Sequence, residues 1–204
     1  MIISFLVSCD KEQPIPPTIV NGQVLEQGTN KPLEGVKVVL MEGSYNGFGS
    51  GTYSFYPVDT FLTDKDGKYS YEHKISFDKK AYELWYFKDK YFDISNVSEN
   101  TRITHVEYNK TQSVTTKMFP FAWLTVRVIN DQPFDAGDLL SIGATNKDWY
   151  FHGKSVNNVF TENVLGNQKQ KISWIIQRDG KWGQVFIDST YCKGHDTTYY
   201  QLKY

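Results

Sequence analysis

Ile172-Ser173-Trp174-Ile175-Ile176-Gln177-Arg178 and Lys181-Trp182-Gly183-Gln184-Val185-Phe186-Ile187 flank the dipeptide Asp179-Gly180. Asp-Gly between two β-prone runs is a strong hairpin signal, because a type I′ turn needs positive φ at both central residues. A two-residue loop also sets register. Arg178 then opposes Lys181, Gln177 opposes Trp182, Ser173 opposes Phe186, Trp174 opposes Val185 and Ile172 opposes Ile187. Ile172, Trp174, Val185 and Ile187 share one apolar side, which is expected to line a core. Trp182 belongs to the other side. A slip of one residue would exchange the two faces.

The same period of two recurs along the chain. Val36, Val38 and Leu40 fall on one face, as do Tyr69, Tyr71, His73 and Ile75, and so do Leu124, Val126 and Val128. Turn signals stand close together at Asn21-Gly22, Gly28-Thr29-Asn30 and Asp66-Gly67. Short strands with frequent turns indicate sandwiches. Residues 78–85 could form one helical turn, but Tyr82, Leu84 and Tyr86 alternate, which favours a strand. The fold class expected is all-β, with two tandem β-sandwich domains. Pro120 cannot donate to a central ladder, so it marks an edge or link. It divides a first domain over 18–117 from a second over 118–204.

The first domain opens with Val20-Asn21-Gly22-Gln23-Val24. It continues through Asn30-Lys31-Pro32-Leu33-Glu34-Gly35-Val36-Lys37-Val38 and then Thr63-Asp64-Lys65-Asp66-Gly67-Lys68-Tyr69. This order of strand, Pro-Leu-x-Gly-Val turn, strand and Thr-Asp-x-Asp-Gly-x-Tyr is similar to the carboxypeptidase regulatory-like domain. The resemblance implies a transthyretin-like sandwich of seven or so strands, non-catalytic, serving as a structural or interaction unit. No peptidase residue carries over with it. The stretch 43–59 departs from the pattern in its length and its Gly and aromatic content.

The chain has 204 residues, 40% hydrophobic and 16% aromatic, enough to bury a core. Twenty-two basic residues face 23 acidic ones, for a net charge of −1. That balance gives no footprint for nucleic acid. No run of 18 apolar residues reads as a transmembrane helix.

The N-terminus reads Met-Ile-Ile-Ser-Phe-Leu-Val-Ser-Cys. An apolar run ending in Leu6-Val7-Ser8-Cys9 resembles the lipobox of a bacterial lipoprotein, although the apolar segment is short and lacks a preceding Lys or Arg. The resemblance implies a signal remnant over 1–8 and lipidation of Cys9. Residues 9–17, ending Pro14-Ile15-Pro16-Pro17, read as a semi-rigid tether. The expected location is the cell envelope, at the outer membrane or cell surface, with the membrane reached through the lipid.

No residue set names a reaction. Asp64-Lys65-Asp66-Gly67 matches the opening of a calcium loop, but the fifth and twelfth positions are Lys68 and Ile75. Gly47-Phe48-Gly49-Ser50-Gly51 lacks the Lys-Ser/Thr of a phosphate loop and the spacing of a nucleophile elbow. His73, His105, His152 and His195 are dispersed, and Cys192 near His195 reads as a structural thiol. No catalytic residue, metal site or cofactor is expected.

The aromatics carry more. Tyr45, Phe48, Tyr53, Phe55 and Tyr56 crowd one segment, Trp149, Tyr150 and Phe151 crowd another, and Trp182 stands alone. Exposed rings stack on sugars or anchor protein partners. The ligand-contact candidates are Tyr45, Phe48 and Tyr53, followed by Trp149 and Trp182. The reading is therefore a non-catalytic envelope module for binding or structural interaction, with an envelope protein or glycan as partner. Its alternatives are a glycan-binding accessory of a nutrient-uptake system and a hydrolase with an inter-domain site. The terminal run 197–204 is a further candidate for pairing through an edge strand.

Overall fold

Period-two patterning becomes strand throughout the computed structural model, which describes residues 16–46, 52–73, 80–92, 103–144 and 147–204. The first half supplies β1 (Thr18–Glu26), β2 (Lys37–Asn46), β3 (Thr52–Leu62), β4 (Lys68–His73), β5 (Ala81–Phe87), β6 (Ile103–His105) and β7 (Thr111–Met118). The second supplies β8 (Phe121–Ile129), β9 (Leu139–Ala144), β10 (Lys147–His152), β11 (Asn157–Leu165), β12 (Gln168–Arg178), β13 (Lys181–Cys192) and β14 (Thr197–Lys203). No helix occurs among the described residues, so none there is long and apolar enough to cross a membrane.

In the first sandwich, sheet β4-β1-β7 faces sheet β3-β2-β5-β6. Val20 and Val24 from one sheet meet Val38, Leu40, Leu84 and Tyr86 from the other in one core. Inside it, the Tyr69 and Tyr86 hydroxyls lie 2.7 Å apart, and that of Tyr86 also reaches Thr104 Oγ1 at 2.8 Å. The two halves of the Pro-Leu-x-Gly-Val and Thr-Asp-x-Asp-Gly pattern meet here. Thr63 Oγ1 donates to the Leu33 carbonyl at 2.6 Å and accepts from the Val36 amide at 2.9 Å. Asp64 spends its carboxylate on the amides of Asp66 and Lys68, at 2.9 and 2.8 Å, closing a strand-joining turn. Gly67 sits at φ +71°, where a Cβ would stand 2.4 Å from the Val24 carbonyl oxygen. Only glycine fits that place.

In the second sandwich, β10-β9-β12-β13 faces β11-β8-β14. Leu124, Val126 and Val128 are fully buried against Leu140, Ile142 and Ile172. The strand at 197–203 is an edge, paired in parallel to β8.

The hairpin of β12 and β13 turns as expected, with Asp179 at φ 48° and Gly180 at φ 68°. Arg178 opposes Lys181 and Gln177 opposes Trp182. Beyond them the register departs from expectation. Ile175 pairs with Val185, Trp174 with Phe186 and Ile172 with Asp188. A bulge causes the shift: Gly183 and Gln184 together oppose the single Ile176. The extra residue turns Val185 and Ile187 outward, at 61% and 63% exposure, so the expectation that they line the core is corrected. Phe186 takes the inward place and stacks on Trp174, centroids 5.5 Å apart.

The two sandwiches meet at Pro120, which lies between β7 and β8 and bridges to Tyr91. Beside it the buried carboxylate of Glu26 accepts from Thr29 Oγ1 at 2.8 Å, Tyr91 OH at 2.7 Å and Asn167 Nδ2 at 3.2 Å. His195 Nε2 stands 3.5 Å from the same carboxylate.

Candidate binding face

Strand β5 shows how the face arises. Tyr82, Leu84 and Tyr86 point into the core. Ala81, Glu83 and Trp85 therefore point outward, since successive side chains alternate. Pairing of β5 with β2 and of β2 with β3 brings Val39 beside Trp85, Gly43 beside Phe55 and Tyr45 beside Tyr53 on that outer side.

Four rings then run in contact across the sheet. Tyr45 and Tyr53 meet edge to face at 5.6 Å, Tyr53 and Phe55 are 6.1 Å apart, and Phe55 and Trp85 are 5.9 Å apart. Phe55 lies over Gly43, where an added Cβ would stand 2.7 Å from its ring. Any larger residue would lift Phe55 and break the row. Trp85 is held at its polar end, because its Nε1 donates to Glu83 Oε2 at 2.9 Å. The other Glu83 oxygen is 3.2 Å from His105 Nδ1, so the buried carboxylate is held between the indole and the imidazole. Tyr45 and Tyr53 remain about half exposed, at 51% and 48%. Nearby, burial and then the adjacent Tyr53 and Glu42 push the Tyr108 phenol above its ordinary value.

The edge beside this face resists strand addition. In β3, Pro57 lacks an amide donor, and Val58 is an extra residue between the Met41–Pro57 and Leu40–Asp59 pairs. Proline and bulges both blunt an exposed edge.

The candidates fall in separate places. Tyr45 and Tyr53 are brought together. Phe48 and Cys9 lie outside the described residues. Trp149, partly buried, stacks on Phe160, centroids 4.6 Å apart, and packs against the second core. Trp182 is half exposed at the β12–β13 tip in the other sandwich. Trp85 and Glu83 were not singled out from the sequence, although the alternation of β5 places them outward. In the sequence Phe55 is one of five aromatics crowded over 45–56.

The remaining chemistry is spent on structure. Cys192 is buried, and burial pushes its thiol above the ordinary value despite a hydrogen bond from Thr198. His195 turns to Tyr91, 3.3 Å from its hydroxyl, and to Glu26. No group of three His, Cys, Asp or Glu among the described residues is placed to hold a metal ion. A shallow groove of about 690 Å³ over β4-β1-β7 is walled by Asn21, Gln23, Ser70, Ser113 and Thr115. Three of these are already engaged, since Ser70 Oγ donates to Asn21 Oδ1 at 2.7 Å and Gln23 Nε2 donates to the Asp66 carbonyl at 3.0 Å.

No family model matches the chain, and no curated protein matches it. Among solved structures it is similar to the minor pilin GBS52 of Streptococcus agalactiae, with 12% identity over 91% of this chain and 94% of that one, at TM-score 0.39. It is also similar to a streptococcal ancillary pilin, with 16% identity over 94% of this chain at TM-score 0.36; the chain spans 63% of that pilin's length. A DUF3823 family protein of Bacteroides uniformis overlaps 90% of this chain and 100% of its own, with 11% identity and TM-score 0.33. At these scores the overlaps carry no argument about what this chain binds.

Proposed function

We propose that the chain is a non-catalytic binding module of the cell envelope, tethered through a lipid on Cys9, and that it makes contact through the outer face of β3-β2-β5. One observation carries this reading: Tyr45, Tyr53, Phe55 and Trp85 form an unbroken row, with the indole braced by a buried carboxylate. Aromatic rings supply large contact area at low entropic cost. The Leu6-Val7-Ser8-Cys9 run and the proline-rich segment after it support the anchor. The seven strands of the first half fit the carboxypeptidase regulatory-like resemblance, whose implied role is also non-catalytic.

A glycan is the ligand class favoured over an added peptide strand. Pro57 and the bulge at Val58 close the adjacent edge to main-chain pairing, so recognition falls to side chains. Rings that accept the C–H face of a sugar do this without backbone bonds.

The test is a glycan array and an envelope-protein pulldown with the intact chain and with the Tyr45→Ala, Tyr53→Ala double variant. Loss of capture in the variant, with an unchanged circular dichroism spectrum, supports the face. Capture that persists removes it. Turnover of any captured substrate rejects the non-catalytic reading, and an unmodified Cys9 in the mass of the membrane-extracted protein rejects the anchor.

A further inference from the structure

The tip of the β12–β13 hairpin holds a second concavity unrelated to the aromatic row. Burial declines along β12 toward the turn: Ile172 is fully buried, whereas Trp174 and Ile176 are only partly so. The hairpin thus reaches past the sheet that covers its base. At the tip an open slot of about 380 Å³ is lined by Ile176, Phe186, Trp182 and Gly183, with Arg178 and Lys181 at its rim. Such a volume lies at the lower end of the range for small-molecule sites, about 300–1,000 Å³.

The bulge makes the slot. It sets Gly183 across from Ile176, and Gly183 has no side chain to cover the isoleucine. Trp182, half exposed, contributes to the lining.

The rim is cationic, and its donors are only partly committed. Arg178 commits one Nη2 donor to the Gln132 carbonyl at 2.8 Å, and its Nε is buried without a hydrogen-bond partner. A guanidinium has five donors, and a buried donor left unmatched costs stability. Lys181 is exposed and makes no ion pair among the described residues. The acid acting on Arg178 is the buried Asp138, whose carboxylate already accepts from Asn130 Nδ2 at 3.0 Å, the Phe134 amide at 2.9 Å and the Asp135 amide at 3.2 Å. Asp179 lies in the exposed turn.

We propose that this slot binds a small organic anion: an apolar body, acyl or aromatic, bearing one carboxylate. The body lies against Ile176, Phe186 and Trp182. The carboxylate takes charge-assisted bonds from Arg178 and Lys181.

The probes are octanoate and 4-phenylbutyrate, with the matching alcohols as uncharged controls, titrated into the intact protein. The readouts are the Trp182 indole and Gly183 amide signals in a nitrogen–proton correlation spectrum, the indole being assigned with Trp182→Phe. The acids should shift both signals at millimolar concentration and bind at least about tenfold more tightly than the alcohols. Lys181→Gln and Arg178→Gln should each bring the acid toward the alcohol's affinity, and Trp182→Ala should weaken both. The Tyr45→Ala, Tyr53→Ala variant should bind the acids unchanged, which separates this site from the aromatic face. Equal affinity for acid and alcohol overturns the proposal. So do shifts that map away from Trp182 and Gly183, or no shift at all. Because Lys181 is exposed, its variant keeps the test valid even if Arg178→Gln fails to fold.

Discussion

Asn167 Nδ2 donates to Glu26 at 3.2 Å, joining residues 141 positions apart across the junction of the two sandwiches. The same nitrogen donates to the Gln27 carbonyl at 3.0 Å, and Asn167 Oδ1 accepts from the Gly194 amide at 2.8 Å. Glu26 is thus an acceptor shared by both halves.

Glu26→Ala should cost about 1–3 kcal/mol, because Thr29, Tyr91 and Asn167 would lose one acceptor together. Burial pushes the Glu26 carboxyl up, but the bonds from Tyr91 and Thr29, the His195 charge and the bond from Asn167 together outweigh it, and the net shift is downward. A depressed carboxyl stabilises the fold above its ordinary value of 4.5, and the contribution is lost as pH falls through the folded value. Urea midpoints should therefore fall below that pH more steeply in the native chain than in Glu26→Gln. Parallel slopes would place the acid sensitivity elsewhere.

The bulge gives a paired test in the second sandwich. Ile172→Ala should cost about 2–5 kcal/mol, since its side chain is fully buried. Ile187→Ala should stay within about 0.5 kcal/mol, since Ile187 is exposed. Similar losses in chemical unfolding would restore the uninterrupted register.

Gly43→Val should cost about 1–3 kcal/mol by driving Phe55 off its seat. Trp85 would lose its ring neighbour, so its emission should change and capture by the aromatic face should drop. Unaltered emission and capture would show that the row does not depend on this close approach.

Gly67→Ala combines positive φ with a Cβ 2.4 Å from backbone oxygen, which cannot swing aside as a side chain can. A loss of about 2–3 kcal/mol is expected, seen as a lowered Tm.

Much of this arrangement was legible locally. Leu124, Val126 and Val128 announce a strand and its buried face, and Asp179-Gly180 announces a turn and the two pairs beside it. The slip beyond those pairs came from Gly183. A glycine within a strand is itself a bulge signal, but the turn rule extends register as though the strand were regular. The binding face was half legible. Alternation in β5 turns Trp85 outward, yet its meeting with Phe55 depends on β2 lying between β3 and β5. Strand order is a long-range property, and no local spacing encodes it. The same holds for Glu26: Thr29 is local, but Tyr91, Asn167 and His195 come from three distant turns.

In the first sandwich β1 runs parallel to β7, and in the second β14 runs parallel to β8. Thr18 and Met118 lie at opposite ends of the first pair, as do Phe121 and Lys203 in the second. Tension along the chain from Thr18 to Lys203 would therefore slide each strand along its partner, loading the ladder bonds together instead of peeling them singly. Both halves are built to meet a pull from their ends in shear.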